Sequence, residues 1–171
     1  MTDREPHSAS ALVHRGVLYD DRAGLVDAVA LQLVGTLADR HTVAAIVDGE
    51  TAERLRDRIG PDADGIAFTH PAQAFAEPAQ TMVAQRCRAA AASCESGPLT
   101  VLGQFQPWMD THDVAFWESM FNLMLAELPV TLLCACPVDA GDVTDVIAAT
   151  HPELSTSAAA ARNAAFRDPL N

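Results

Sequence analysis

Residues 98–137 read PLTVLGQFQPW, then MDTHDVAFWESMFNLMLAELP, then VTLLCACP, and this stretch decides the fold. Its opening run is apolar up to Gly103 and turns polar at Gln104 and Gln106, with Trp108 just beyond. A buried strand whose carboxyl end opens on a crevice has this profile. In the middle segment Val114, Trp117, Phe121, Met124, Leu125 and Leu128 fall on one stripe of a helix over 111–128. The last segment is again continuously apolar to Cys136. Strand, crossover helix and strand make the repeating unit of a parallel sheet.

The same alternation extends upstream. Strands are expected at 16–19, 42–48 and 65–69, beside those at 99–105 and 130–136. Helices are expected over 22–39, where Leu25, Val29, Leu33 and Leu37 share a stripe, and over 51–59. Another helix runs from Pro78, well placed in a first turn, to 93 or 94, and a short one covers 143–150. The fold class is therefore α/β, a three-layer sandwich over a mainly parallel central sheet. Residues 1–11 are polar and small and read as a flexible arm, residues 12–154 as a single domain. The tail, 155–171, carries no period that assigns it an element.

With 11 basic residues against 23 acidic ones, the formal charge is −12, which repels nucleic-acid phosphates. Every basic residue is arginine. The lack of lysine removes P-loop, Schiff-base and kinase-type chemistries, so no saturable ATP binding is expected. The polar start, MTDREPHSAS, has no leader pattern, and no apolar run approaches membrane-spanning length. A cytoplasmic setting with free thiols is the expectation.

Ligands in such sheets bind outside the carboxyl ends of the strands. Those ends offer Tyr19 with Asp20, Asp48 with Gly49, Thr69 with His70, Gln104 with Gln106 and Trp108, and Cys136. The set is mostly neutral and hydrogen-bonding, which suits binding over catalysis. Tyr19, Gln104 and Trp108 are expected as walls of one pocket, and Trp117 as core. Glu118 and Asn122 lie one helical turn apart, placed to hold a ligand or brace the adjoining strand. Cys87, Cys94, Cys134 and Cys136 read as small buried hydrophobes, since no Cys-x-x-Cys and no zinc-type histidine spacing occurs. No metal, cofactor or catalytic residue is assigned. The six histidines are scattered, and His14 lies just ahead of the first expected strand.

Several of these residues carry a resemblance. His14 with Leu18-Tyr19 and the acidic turn Asp20-Asp21, the run 33–48 with Gly35, and Gly103 with Trp108, Glu118 and Asn122 resemble the pattern of MEDS domains (methanogen/methylotroph, DcmR sensory). Thr131-Leu-Leu-Cys134 and Thr150-His-Pro-Glu-Leu154 are similar to that family's closing motifs. In particular the chain resembles the version fused to histidine-kinase-like ATPase modules in actinobacterial anti-sigma-factor regulators. Gln104 departs from it, because the family usually has a glutamate after the glycine.

The resemblance implies a RecA- or KaiC-like sheet without a functional P-loop, in which the first and fourth strands would be neighbours. It implies a non-catalytic sensory domain that binds a small ligand, such as a hydrocarbon derivative, or a signalling partner and modulates transcription or anti-sigma signalling. Its ligand-binding residues would be His14, Tyr19, Gln104, Trp108, Glu118 and Asn122. Its partner would be a histidine-kinase-like ATPase or a sigma or anti-sigma component, with no direct contact to nucleic acid or membrane. The alternative is a pure protein-interaction module of such a circuit, without a ligand; an enzyme using Glu118, His14 or a cysteine ranks last.

Overall fold

The computed structural model describes residues 12–156 and 160–167; the arm at 1–11 and part of the tail lie outside them. Elements follow in the order β1 (Val13–Tyr19), α1 (Arg22–Ala38), β2 (Thr42–Ile46), α2 (Gly49–Ile59), β3 (Ile66–Thr69), α3 (Pro71–Ala74), α4 (Ala79–Cys94), β4 (Leu99–Gln104), α5 (Thr111–Met124), β5 (Val130–Pro137), α6 (Asp142–Thr150), β6 (Glu153–Ser155) and β7 (Ala160–Arg162). The seven strands form one sheet in the order β3-β2-β4-β5-β1-β6-β7. All pairings are parallel except β6 with β7. This is the three-layer α/β sandwich expected from the alternation of apolar runs and helical stripes.

The central strands are apolar throughout because helices cover both faces. Leu102, Leu133, Ala135 and Val17 pack with Leu25, Val29 and Leu33 of α1 and Leu55 of α2. On the opposite face Leu99, Leu132, Cys134 and Cys136 pack with α4, α5 and α6 through Met82, Val83, Val114, Trp117 and Ile147. Aspartates start three of the helices. Asp21 accepts from the Gly24 N–H at 2.8 Å, Asp48 from Thr51 at 2.8 Å, and Asp110 from His112 at 2.9 Å.

Three local readings are corrected. β1 begins at Val13, so His14 lies within the strand and not ahead of it. Alternation explains the error, because His14 and Gly16 face one layer while the polar Arg15 breaks the apolar run between them. Helix α5 stops at Met124, four residues short of the expected 128. The expected domain end at 154 falls inside β6, the tail supplies β7, and Asn163 Nδ2 donates to the carbonyls of Ala148 at 2.6 Å and His151 at 2.7 Å. β1 pairs with β5 and β6, while β4 lies between β2 and β5, so the expected adjacency of the first and fourth strands does not hold. No helix among the described residues is long and apolar enough to cross a membrane.

Candidate functional site: a buried polar cluster beside an apolar cavity

Register places the site. Ile46, Gly103, Cys134, Gly16 and Leu154 form one row across β2, β4, β5, β1 and β6. All face the layer of α4, α5 and α6. His14 stands in the adjoining row, opposite Leu132. A Cβ on Gly16 would lie 2.6 Å from Leu154 Cδ2, 2.7 Å from Ile147 Cγ2 and 3.5 Å from His151 Cγ. The missing side chain is what lets the end of α6, with His151, settle onto the sheet.

Helix α5 then lowers Glu118 between the two imidazoles. Glu118 Oε2 lies 2.7 Å from His14 Nε2 and 3.1 Å from His151 Nε2, and the Cys134 thiol donates to it at 3.5 Å. His14 Nε2 is also 3.4 Å from Cys134 Sγ. The four side chains are at most 8 % exposed. One turn on, Asn122 Nδ2 donates to the Thr150 carbonyl at 2.7 Å, which turns its Oδ1 toward His14 Nδ1 at 2.9 Å. His14 Nδ1 therefore carries hydrogen. His151 Nδ1 faces the Ile147 carbonyl at 2.9 Å and Thr150 Oγ1 at 3.1 Å, a hydroxyl that itself donates to Val146. So His151 too donates through Nδ1, and its buried Nε2 has no hydrogen-bond partner in good geometry despite its closeness to Glu118. The Glu118–Asn122 pair thus braces β1 through His14.

Charges follow this layout. Burial works to raise the Glu118 pKa, but the charge of His151 and the hydrogen bond and charge of His14 outweigh it and hold the carboxyl well below its usual range. Burial lowers His151, assisted by the charge of His14. Burial and the Glu118 charge push the Cys134 thiol well above its ordinary value, and burial raises Cys136 to about 11. Neither thiol is an activated nucleophile. The layout is not that of a catalytic Cys–His pair either, because the carboxylate occupies the ring nitrogen that would face the sulfur.

Glu118 and Cys134 also line a cavity of about 320 Å³ between the sheet and helices α4 and α5. Its walls are otherwise mainly apolar, with Ala44, Val101, Phe75, Trp117 and Phe121 among them. Two donors stand out. Trp117 is buried, stacks on Phe75 at 4.9 Å, and its indole N–H has no acceptor. Arg86 is half-buried, gives a hydrogen bond to the Ala74 carbonyl at 2.9 Å, and burial lowers its pKa. A Cβ on Gly103 would meet nothing within 4 Å.

Of the remaining expected site residues, Gln104 also borders this cavity, but its side-chain hydrogen bonds are made away from it, and Tyr19 and Trp108 do not line it. Tyr19 and Gln104 meet on the α1/α2 face. Gln104 reaches past Ala135, its partner on β5, so that Nε2 lies 3.4 Å from the Tyr19 hydroxyl. The same amide donates to Asp48 Oδ2 at 3.2 Å, and its oxygen accepts from the Asp48 N–H at 2.9 Å. Burial raises the Tyr19 pKa. For Asp48 burial acts upward, and the Thr51 and Arg22 hydrogen bonds bring it below the ordinary value. Gln104 is thus a tie between β4 and the β2–α2 turn that needs both its donor and its acceptor. Gln104→Glu removes the donor and sets a carboxylate against Asp48. It should cost about 2 kcal/mol in denaturant unfolding near neutral pH, and the deficit should shrink on acidification, as the protonated carboxyl regains a donor. A deficit unchanged between pH 8 and pH 5 would contradict this account.

Trp108 is 55 % exposed and lines neither the cavity nor the cleft at the end of β1. Trp117 is core as expected and also borders the cavity, whereas Trp108 is no pocket wall. At the end of β1, Asp20 and Asp21 enter α1, whose first donors are met by Asp21, where a phosphate-cradling loop would hold glycines and a lysine.

The structure therefore brings together His14, Glu118 and Asn122, and separately Tyr19 and Gln104. Cys134 and His151 were missed as site residues. The four cluster residues come from β1, α5, β5 and the end of α6, so no short-range spacing rule detects them. The usable signal is a polar side chain on the inward parity of an apolar strand. No protein-family model matches the chain, and comparison with curated proteins finds no match.

Proposed function

We propose that the chain is a non-catalytic sensory domain, of the MEDS type its motifs resemble. In this reading it takes a small, largely apolar molecule into the cavity between the sheet and α4/α5 and signals occupancy to a regulatory partner. The observation that carries this reading is an apolar cavity of about 320 Å³ walled by a buried indole whose N–H lacks an acceptor. A cavity of about 150 Å³ holds benzene, so this one has room for roughly twice that ligand. Arg86 offers a donor at the wall, so the occupant combines an apolar body with an acceptor group. The high pKa of the Cys134 thiol argues against covalent chemistry on the ligand.

Gly103→Leu supplies the test, because its side chain enters open space in the cavity wall. Thermal melts of the wild type are run against short-chain alcohols, ketones, carboxylates and haloalkanes. At least one class should raise the melting temperature saturably, by about 5–10 °C at a hundredfold excess over Kd. Gly103→Leu should match or exceed the ligand-free wild type in stability and lose that response. A wild type indifferent to every class, or a Gly103→Leu variant that responds as the wild type does, would overturn the reading.

A further inference from the structure

We propose that His14, Glu118, Cys134 and His151 form a tetrahedral binding site for a zinc-type divalent cation. This does not depend on the cavity's taking an organic ligand. The donor atoms of the four residues lie within 4.8 Å of one another. For arms of about 2.0 Å to nitrogen and oxygen and about 2.3 Å to sulfur, a tetrahedron has edges of about 3.3 Å (N···O) and about 3.5 Å (N···S and O···S). The contacts here are 3.1 Å for His151 to Glu118, 3.4 Å for His14 to Cys134 and 3.5 Å for Cys134 to Glu118. The 2.7 Å His14–Glu118 contact must open by about 0.6 Å, and the two remaining edges, from His151 to His14 and to Cys134, lie within the 4.8 Å spread of the cluster and close as the ion binds.

The outer contacts are those of metal-binding histidines. Each imidazole is held through Nδ1, by Asn122 for His14 and by Ile147 and Thr150 for His151, which aims both Nε2 atoms into the cluster. His151 Nε2 is fully buried, 3.1 Å from Glu118 Oε2, and makes no hydrogen bond in good geometry. A thiolate, a carboxylate and two neutral imidazoles carry charge −2, so a dication leaves the buried group neutral. Binding releases to solvent the thiol proton and the proton shared by His14 and Glu118. Glu118 and Cys134 line the cavity, which gives the ion a way in.

The full chain as purified, and again after chelation and dialysis, is tested by elemental analysis and by titration with Zn²⁺ and Co²⁺. The expected result is one zinc per chain, and with Co²⁺ an intense near-ultraviolet thiolate-to-metal band that saturates at one equivalent. Cys134→Ser should abolish the band, and Cys87→Ser and Cys94→Ser should keep it. Asn122→Ala should weaken zinc binding by about 10–100-fold. The wild-type titration decides even if a variant fails to fold. Absence of the cobalt band, metal uptake without it, or a band that survives Cys134→Ser overturns the proposal.

Discussion

Trp117→Ala should lose about 3–5 kcal/mol of stability, as large aromatic truncations in cores do, and Trp108→Ala should stay within about 0.5 kcal/mol of the wild type. Trp117 is 5 % exposed, and its ring stacks on Phe75 with planes 17° apart. It packs within the layer formed by α4, α5 and the sheet, so truncation enlarges a cavity already lined by its own ring. Trp108 lies in the β4–α5 connection, 55 % exposed, with little packing to lose. Trp117→Phe should cost less than Trp117→Ala, because it keeps a ring against Phe75 and removes the unpartnered donor. Urea unfolding of the three variants measures these differences. A Trp108→Ala variant as unstable as Trp117→Ala would put Trp108 in the packed structure, contrary to its exposure.

The sheet was legible because its strands are buried on both faces. The runs around Val43, Leu102 and Leu133 are apolar whichever way each side chain points, so their identity survives ignorance of register. β1 is different. Its V-H-R-G start mixes a buried histidine, a half-buried arginine and a glycine, and reads as polar until Val17. Yet those residues do much of the positioning. His14 meets α5, Gly16 admits α6, and Arg15 donates to Glu153 on β6 at 2.8 Å.

The site was legible only in pieces. The i,i+4 relation of Glu118 and Asn122 follows from helix geometry, but the imidazole that both grip comes from a strand more than a hundred residues earlier. Cys134 has the composition of a core thiol, and its polar neighbours emerge only from strand order and register. Trp108 and Trp117 illustrate the same limit. Trp117 sits on the apolar stripe of α5 and Trp108 just past the end of β4, and only the packing of α4 against α5 decides which one borders a cavity.

Gly16 and Gly103 flank Cys134 in one row of the sheet, and valine should act on them in opposite directions. At Gly16 the added Cβ alone meets Ile147 and Leu154 at 2.7 and 2.6 Å, inside contact distance, before the two γ-methyls of valine are placed. Ile147 is fully buried, and the carbonyls of Ala148 and His151, which follow it at the end of α6, are tied down by Asn163, so α6 has little freedom to retreat. Overpacking of a core typically costs about 1–3 kcal/mol, and Gly16→Val should fall at or beyond the upper end. The displaced group includes His151, so the variant should also disturb the cluster around Glu118. At Gly103 valine enters open space on a strand, where a β-branched side chain is favoured over glycine, and stability should hold or rise. Denaturant midpoints of the two variants give the comparison, with one- and two-dimensional NMR of the histidine rings reporting the state of the cluster. If Gly16→Val is as stable as Gly103→Val and leaves the His14 and His151 ring signals in place, the close seating of α6 on β1 is wrong.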